Sequence, residues 1–118
     1  MSTYFALVIG AVLGASMRYF VASINLVFFG IPFATVIVNI VGSALAGFFL
    51  NKFYNTSFIF LYVGIFGSFT TLSSFNIELF QLLNDSFFLK ALVFFILNIL
   101  ISFIMFYFFF MLSIKFEN

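Results

Sequence analysis

Four apolar runs follow one another through the sequence with only short polar breaks between them. A helix rises about 1.5 Å per residue and needs roughly 20 apolar residues to cross the hydrocarbon of a bilayer. The runs cover about residues 3–27, 32–50, 58–83 and 91–114. They leave no room for a separate soluble domain, so residues 1–118 read as one four-span membrane domain. Charged residues make up 6% of the chain, against about a quarter in soluble domains, which rules against a water-soluble fold. The expected class is an all-α integral membrane protein, multi-pass in the plasma membrane of a bacterial cell.

The same composition removes whole classes of chemistry. There is no His and no Cys, so imidazole proton shuttles, thiolates, disulfides and His or Cys metal sites are closed off. A net charge of +1 gives no basic cluster with which to hold nucleic acid. No basic segment precedes the first apolar run, so no signal peptide is expected. Glu78 has no second carboxylate in the apolar runs and no His beside it, and no catalytic constellation is expected.

The breaks between runs have turn chemistry. Gly30-Ile31-Pro32 predicts a tight turn with Pro32 at the first position of a new helix. Asn51-Lys52 stops the second run, and Asn55-Thr56-Ser57 reads as a polar connector. Asn84-Asp85-Ser86 ends the third run, and Lys90 introduces the fourth. Four spans place Lys52 and Lys115 on one side of the membrane, and Lys90, with Arg18 if it snorkels there, on the other. So even a balance sets no orientation, and an antiparallel pair of copies is compatible with it. Gly10 with Gly14, Gly42 with Ala46 and Ser43 with Gly47 form stripes of small residues that let helices pack closely in lipid. Four helices alone make a poor pathway, so an oligomer is expected.

One stretch breaks the apolar pattern from within. Gly64-Ile65-Phe66-Gly67-Ser68-Phe69-Thr70-Thr71-Leu72-Ser73-Ser74-Phe75-Asn76-Ile77-Glu78 carries two glycines, five hydroxyls, an Asn and a Glu inside the third run. Exposed polar groups in hydrocarbon are costly, so the stretch is either a loop in water or an interrupted helix buried against protein. Gly67 and Ser68, with Thr70-Thr71 and Ser73-Ser74 after them, favour interruption. Breaking the helix frees carbonyls, and uncharged oxygen donors suit an alkali cation. Ser73 or Ser74 is then placed to cap the helix as it resumes.

Other polar residues within the runs have two readings each. Arg18 either snorkels to an interface or holds positive charge at an aqueous vestibule that attracts anions. Asn39 either bonds across a helix interface or donates to a dehydrated anion. Asn98 and Ser102, four apart on one face of the last span, are either interhelical glue or a polar track beside a pore.

These residues resemble the Fluc/CrcB fluoride channels over nearly the whole chain. The resemblance is carried by Gly14-Ala15-Ser16-Met17-Arg18-Tyr19, by Val38-Asn39-Ile40-Val41-Gly42, and by the stretch from Gly64 to Phe75. It implies a dual-topology, antiparallel dimer of four-helix subunits whose third helix is broken. It implies a structural sodium ion on the two-fold axis, held by backbone carbonyls of Gly67 and Thr70 from both subunits. Two separate pores then carry fluoride. By the same resemblance Asn39 donates to the anion, Phe75 offers it a positive ring edge, Ser73 and Ser74 flank the pore, Asn98 and Ser102 line the ion path, and Arg18 is the basic residue of the first helix. Leu72 departs from the family, which has the first of its two pore phenylalanines there, with Phe75 matching the second, and Leu has no quadrupole to offer.

The implied function is passive fluoride export by a homodimer. A subunit of an obligate heterodimer, with a more typical homologue as partner, is the alternative that Leu72 raises. A small four-span drug exporter is the rival from another class, but it needs an acidic residue deep in the first span, and none is there.

Overall fold

The structure, a computed structural model, describes residues 2–117. It is built of four helical rods, three of them long and apolar enough to cross a membrane: Thr3–Ser23, Asn55–Asn84 and Phe88–Glu117. The protein is a multi-pass membrane protein.

α1 (Thr3–Ser23) starts where the Ser2 hydroxyl accepts from the Phe5 amide at 3.1 Å, satisfying one of the free N–H groups of the first turn. It ends short of Val27, because Asn25 turns left-handed (φ 57°) and the next residues pair as a small hairpin. β1 (Val27–Phe28) and β2 (Ile31–Pro32) are antiparallel and joined through Phe29 and Gly30, at φ 55° and 77°. Two consecutive left-handed residues are what a two-residue hairpin turn demands. The turn therefore centres on Phe29-Gly30, one residue earlier than the sequence implies. Pro32 caps the second helix instead of beginning it, since its pairing with Val27 keeps its backbone extended.

α2 (Phe33–Phe48) has 16 residues, about 24 Å, and is shorter than the span expected over 32–50. The chain reverses at Asn51 (φ 65°). That early reversal corrects the reading of Asn55-Thr56-Ser57 as a connector: the trio forms α3 (Asn55–Phe58), the first turn of the next rod. A π-helical segment (Ile59–Phe66) and α4 (Gly67–Phe69) follow, and α5 (Ser73–Asn84) completes the rod. The last rod runs as α6 (Phe88–Ile96), a π-helical segment (Leu97–Ile101) and α7 (Ser102–Glu117).

The small residues are used within the chain. Gly10 and Gly14 on α1 lie against the backbone of the first π-helical segment, where a side chain at Gly10 would strike the Phe60 carbonyl and the Gly64 Cα. Gly47 on α2 meets the backbone of Phe106 on α7 in the same way. Without a hydrophobic force between helices in lipid, such close approach is what holds them together. Ile31, Val36, Phe75, Leu82, Ala91 and Phe94 form the core, with the Phe75 and Phe94 rings stacked at 5.4 Å. At the far end Lys52 on the α2–α3 connection pairs with Glu117 at the end of α7.

Candidate functional site

The sequence between α4 and α5 explains the local geometry. Thr70 is extended (ψ 160°), and residues 70–72 lie outside both helices. In a continuous helix the Thr71 amide would donate to the Gly67 carbonyl, and the Ser74 amide to the Thr70 carbonyl. Neither happens. The Thr71 amide donates to Asn39 Oδ1 at 2.8 Å, and the Ser74 amide to Thr71 Oγ1 at 3.1 Å. The cap of α5 is therefore the Thr71 hydroxyl, not Ser73 or Ser74, because only Thr71 stands three residues ahead of an amide that needs a partner. Ser73 is exposed, with its hydroxyl 3.3 Å from that of Thr71. Among the described residues, the carbonyls of Gly67 and Thr70 are left with no hydrogen-bond donor.

Asn39, in the middle of α2, returns the bond: its Nδ2 donates to the Thr71 carbonyl at 3.1 Å. One carboxamide thus holds both polar groups of one peptide residue. The other hydrogen of Nδ2 goes to Asn98 Oδ1 at 2.7 Å, so both of the Asn39 donors are engaged. Asn98 in turn donates to the Phe94 carbonyl, one helical turn back, at 3.0 Å.

Three cavities surround this segment. The first, about 180 Å³, is lined by Arg18, Asn25, Thr35, Thr71, Ser74 and Glu78. Arg18 is half-buried there, and its Nε donates to the Ser68 carbonyl at 3.0 Å, close to the C-terminus of α4. Glu78 accepts from the Thr35 hydroxyl at 2.6 Å, while its second oxygen is buried without a partner.

The second cavity, about 210 Å³, brings together Asn39, Leu72, Phe75, Asn98 and Ser102, with Thr70, Thr71 and Ser43 also on its wall. Every polar group in that lining is uncharged. The Ser102 hydroxyl is buried and has no hydrogen-bond partner. Leu72 is 66% exposed, whereas Phe75 is 4% exposed and rests against Phe94.

The third cavity, about 270 Å³, contains Gly67 and Thr70 together with Gly42, Ser43, Tyr62 and Phe106. Tyr62 donates to the Ala46 carbonyl at 2.5 Å, holding the last turn of α2 against this rod. Among the described residues, no group of three or more His, Cys, Asp or Glu side chains could hold a metal ion. The lining carries only uncharged oxygens, among them the hydroxyls of Ser43, Thr70 and Tyr62 and the carbonyls of Gly67 and Thr70.

Thr71, Thr35 and Tyr62 have no role assigned in the sequence reading. A hydroxyl three residues ahead of Ser74 is the capping pattern that could have marked Thr71. Thr35 and Tyr62 carry no such signal, since their partners lie far along the chain.

The geometry sits within a recognisable family. The family model described as CrcB-like protein, Camphor Resistance (CrcB), matches residues 5–110. The chain belongs to this CrcB-like family. A protein named fluoride-specific ion channel FluC from Methanococcus vannielii is 38% identical over 96 residues, covering 77% of this chain and 79% of that one. A protein of the same name from Sulfurihydrogenibium sp. is 35% identical over 112 residues, covering 88% and 90%. A third, from Methanocaldococcus jannaschii, is 35% identical over 108 residues, with 85% of each covered. The CrcB-like match contains every site residue named above, from Arg18 to Ser102.

Proposed function

We propose that this chain is a fluoride channel, not an enzyme, and that it lets fluoride leave the cytoplasm passively. The observation that carries the reading is the second cavity. A small anion that sheds water gains from neutral hydrogen-bond donors and from the positive edge of an aromatic ring. Asn98 and Ser102 supply neutral donors, and Phe75, with one face stacked on Phe94, lines the same cavity as the ring whose edge an anion would meet. Relatives that this chain matches over most of their length are named fluoride-specific ion channels. Arg18 shares the first cavity with Glu78, and its guanidinium is the cationic group there that can attract an anion.

The third helix is read as a broken membrane helix, and the functional unit as an antiparallel dimer with two pores lying in lipid. The Gly67 and Thr70 carbonyls fit a structural sodium ion between subunits: hard, uncharged oxygens without hydrogen-bond donors. Such an ion would supply charge to balance carbonyl dipoles that otherwise face one another across the dimer. The Thr71 cap and Asn39 keep those carbonyls free.

Fluoride efflux from proteoliposomes containing only this chain tests the reading, and efflux above that of empty vesicles is expected. Leu72 favours a second reading, a heterodimer with a homologue that keeps an aromatic residue at that point. No efflux alone, with efflux restored by a co-expressed homologue, would establish the heterodimer.

A further inference from the structure

Lys90 carries a charge that the protein does not neutralise. Among the described residues the one ion pair joins Lys52 to Glu117, and Asp85, on the turn before α6, lies outside ion-pair distance of Lys90. Lys90 is the third residue of α6, where a positive charge meets the positive end of the helix dipole, and no acidic residue stands in that turn. The ammonium is nevertheless held in place. It sits over the Phe87 ring, 4.3 Å from its centre, and against Gly30 of the hairpin turn, where a Cβ would come within 2.5 Å of Nζ. Gly30 thus leaves the space that the head of the lysine fills.

Exposed aromatic side chains share this end of the molecule. Phe29, beside Gly30 at the tip of the hairpin, is 92% exposed, and Phe28, Phe87 and Phe88 are exposed as well. The hairpin follows the end of α1 and the α5–α6 turn joins two long rods, so in a bilayer this patch stands at the level of the headgroups. Rings exposed to this degree are costly in water. At the boundary of a bilayer they enter the acyl region, while an ammonium on its apolar stem stays among the phosphates.

We propose that Lys90, with the exposed rings of the hairpin and of the start of α6, docks the headgroup of an anionic phospholipid. Charge selects the occupant. A zwitterionic headgroup brings a cation of its own to the surface, whereas an anionic one supplies the missing counter-charge, worth about fivefold in association for one lysine near the surface. The other cations are placed differently. Arg18 is half-buried and bound to the Ser68 carbonyl, Lys52 is paired with Glu117, and Lys115 lies in the last turn of α7, at the far end of its rod. The site is independent of which ion the chain carries.

Lipid retention by the full chain tests it, after extraction from vesicles of equal phosphatidylglycerol and phosphatidylcholine with matched acyl chains, read by native mass spectrometry. The parent should retain phosphatidylglycerol about fivefold over phosphatidylcholine. Lys90→Gln should bring the two close to parity, and Lys90→Arg should keep the preference. Lys115→Gln removes the same charge elsewhere and should leave the preference within about twofold of the parent. Phe87→Leu removes the ring beneath the ammonium but keeps the charge, so the preference should fall about twofold. That variant covers the case in which Lys90→Gln does not fold. No preference in the parent, or a loss as large in Lys115→Gln as in Lys90→Gln, would overturn the site, as would an unchanged preference in Phe87→Leu if Lys90→Gln does not fold. Displacement of the bound phosphatidylglycerol by inorganic phosphate would assign Lys90 to a free anion and overturn the lipid as occupant.

Discussion

Arg18 on the first helix donates its Nε to the carbonyl of Ser68, fifty residues further along the chain, at 3.0 Å. The guanidinium reaches one of the carbonyls at the end of α4, where the helix stops and its last oxygens need donors. A charged donor at a helix C-terminus also meets the negative end of the helix dipole. Arg18 is thus tied to the interrupted segment as well as to the cavity that it lines.

Arg18→Gln should therefore lower stability by about 1.5–3 kcal/mol, the range for hydrogen bonds to charged groups. Fluoride efflux should fall at the same time, as the first cavity loses its cationic group and keeps Glu78. Thermal unfolding in detergent and efflux from vesicles read the two effects, and a variant with unchanged stability would remove the structural role.

Leu72→Phe should raise fluoride efflux with little change in stability. Leu72 is 66% exposed, so the larger ring meets no packed core, and the expected change stays within about 0.5 kcal/mol. The ring would add a positive edge to the wall of the second cavity. Equal efflux from both chains would show that this position does not limit conduction.

The hydroxyl of Ser102 gives a prediction of opposite signs. It is buried and unpartnered, so Ser102→Ala should leave stability unchanged or raise it by up to about 1 kcal/mol. Efflux should nevertheless fall, because a donor to the anion is gone. A loss of stability would mean that the hydroxyl is satisfied in the protein.

Thr71→Val removes the cap of α5 at a cost of about 1 kcal/mol and releases the Ser74 amide toward the Thr70 carbonyl. For the proposed sodium-linked dimer, subunit association should then change less when sodium is replaced by a large organic cation. Thr71→Ser keeps the hydroxyl and should restore the response. Indifference of the parent dimer to that replacement would rule out the carbonyl site.

Much of this arrangement is legible in the sequence, for a physical reason. Apolar runs of bilayer length mark the long helices, and the expense of polar groups in hydrocarbon draws the eye to Arg18, Asn39, Asn98 and the stretch from Gly64 to Glu78. The partners of those residues are not legible. Asn39 meets Asn98 across 59 positions and Thr35 meets Glu78 across 43, and nothing local records either pairing. The hairpin escapes notice because strands of two residues have no periodicity, and Phe29 is not a residue that advertises a left-handed turn. Hydroxyls in the interrupted stretch announce a cap, but the spacing that singles out Thr71 takes effect only once the helix start at Ser73 is known.

Thr71 borders both the Arg18 cavity and the Asn98 cavity, and Thr70 borders the latter as well as the one holding Gly67. Two adjacent residues thus serve as party walls for three chambers. A protein with partitions this thin has little modularity: a change made at one chamber is also felt at the next, and the effects of paired substitutions around residues 70–71 will not add. Such a chain would evolve by compensating pairs instead of single replacements, and its relatives should vary at these walls together or not at all.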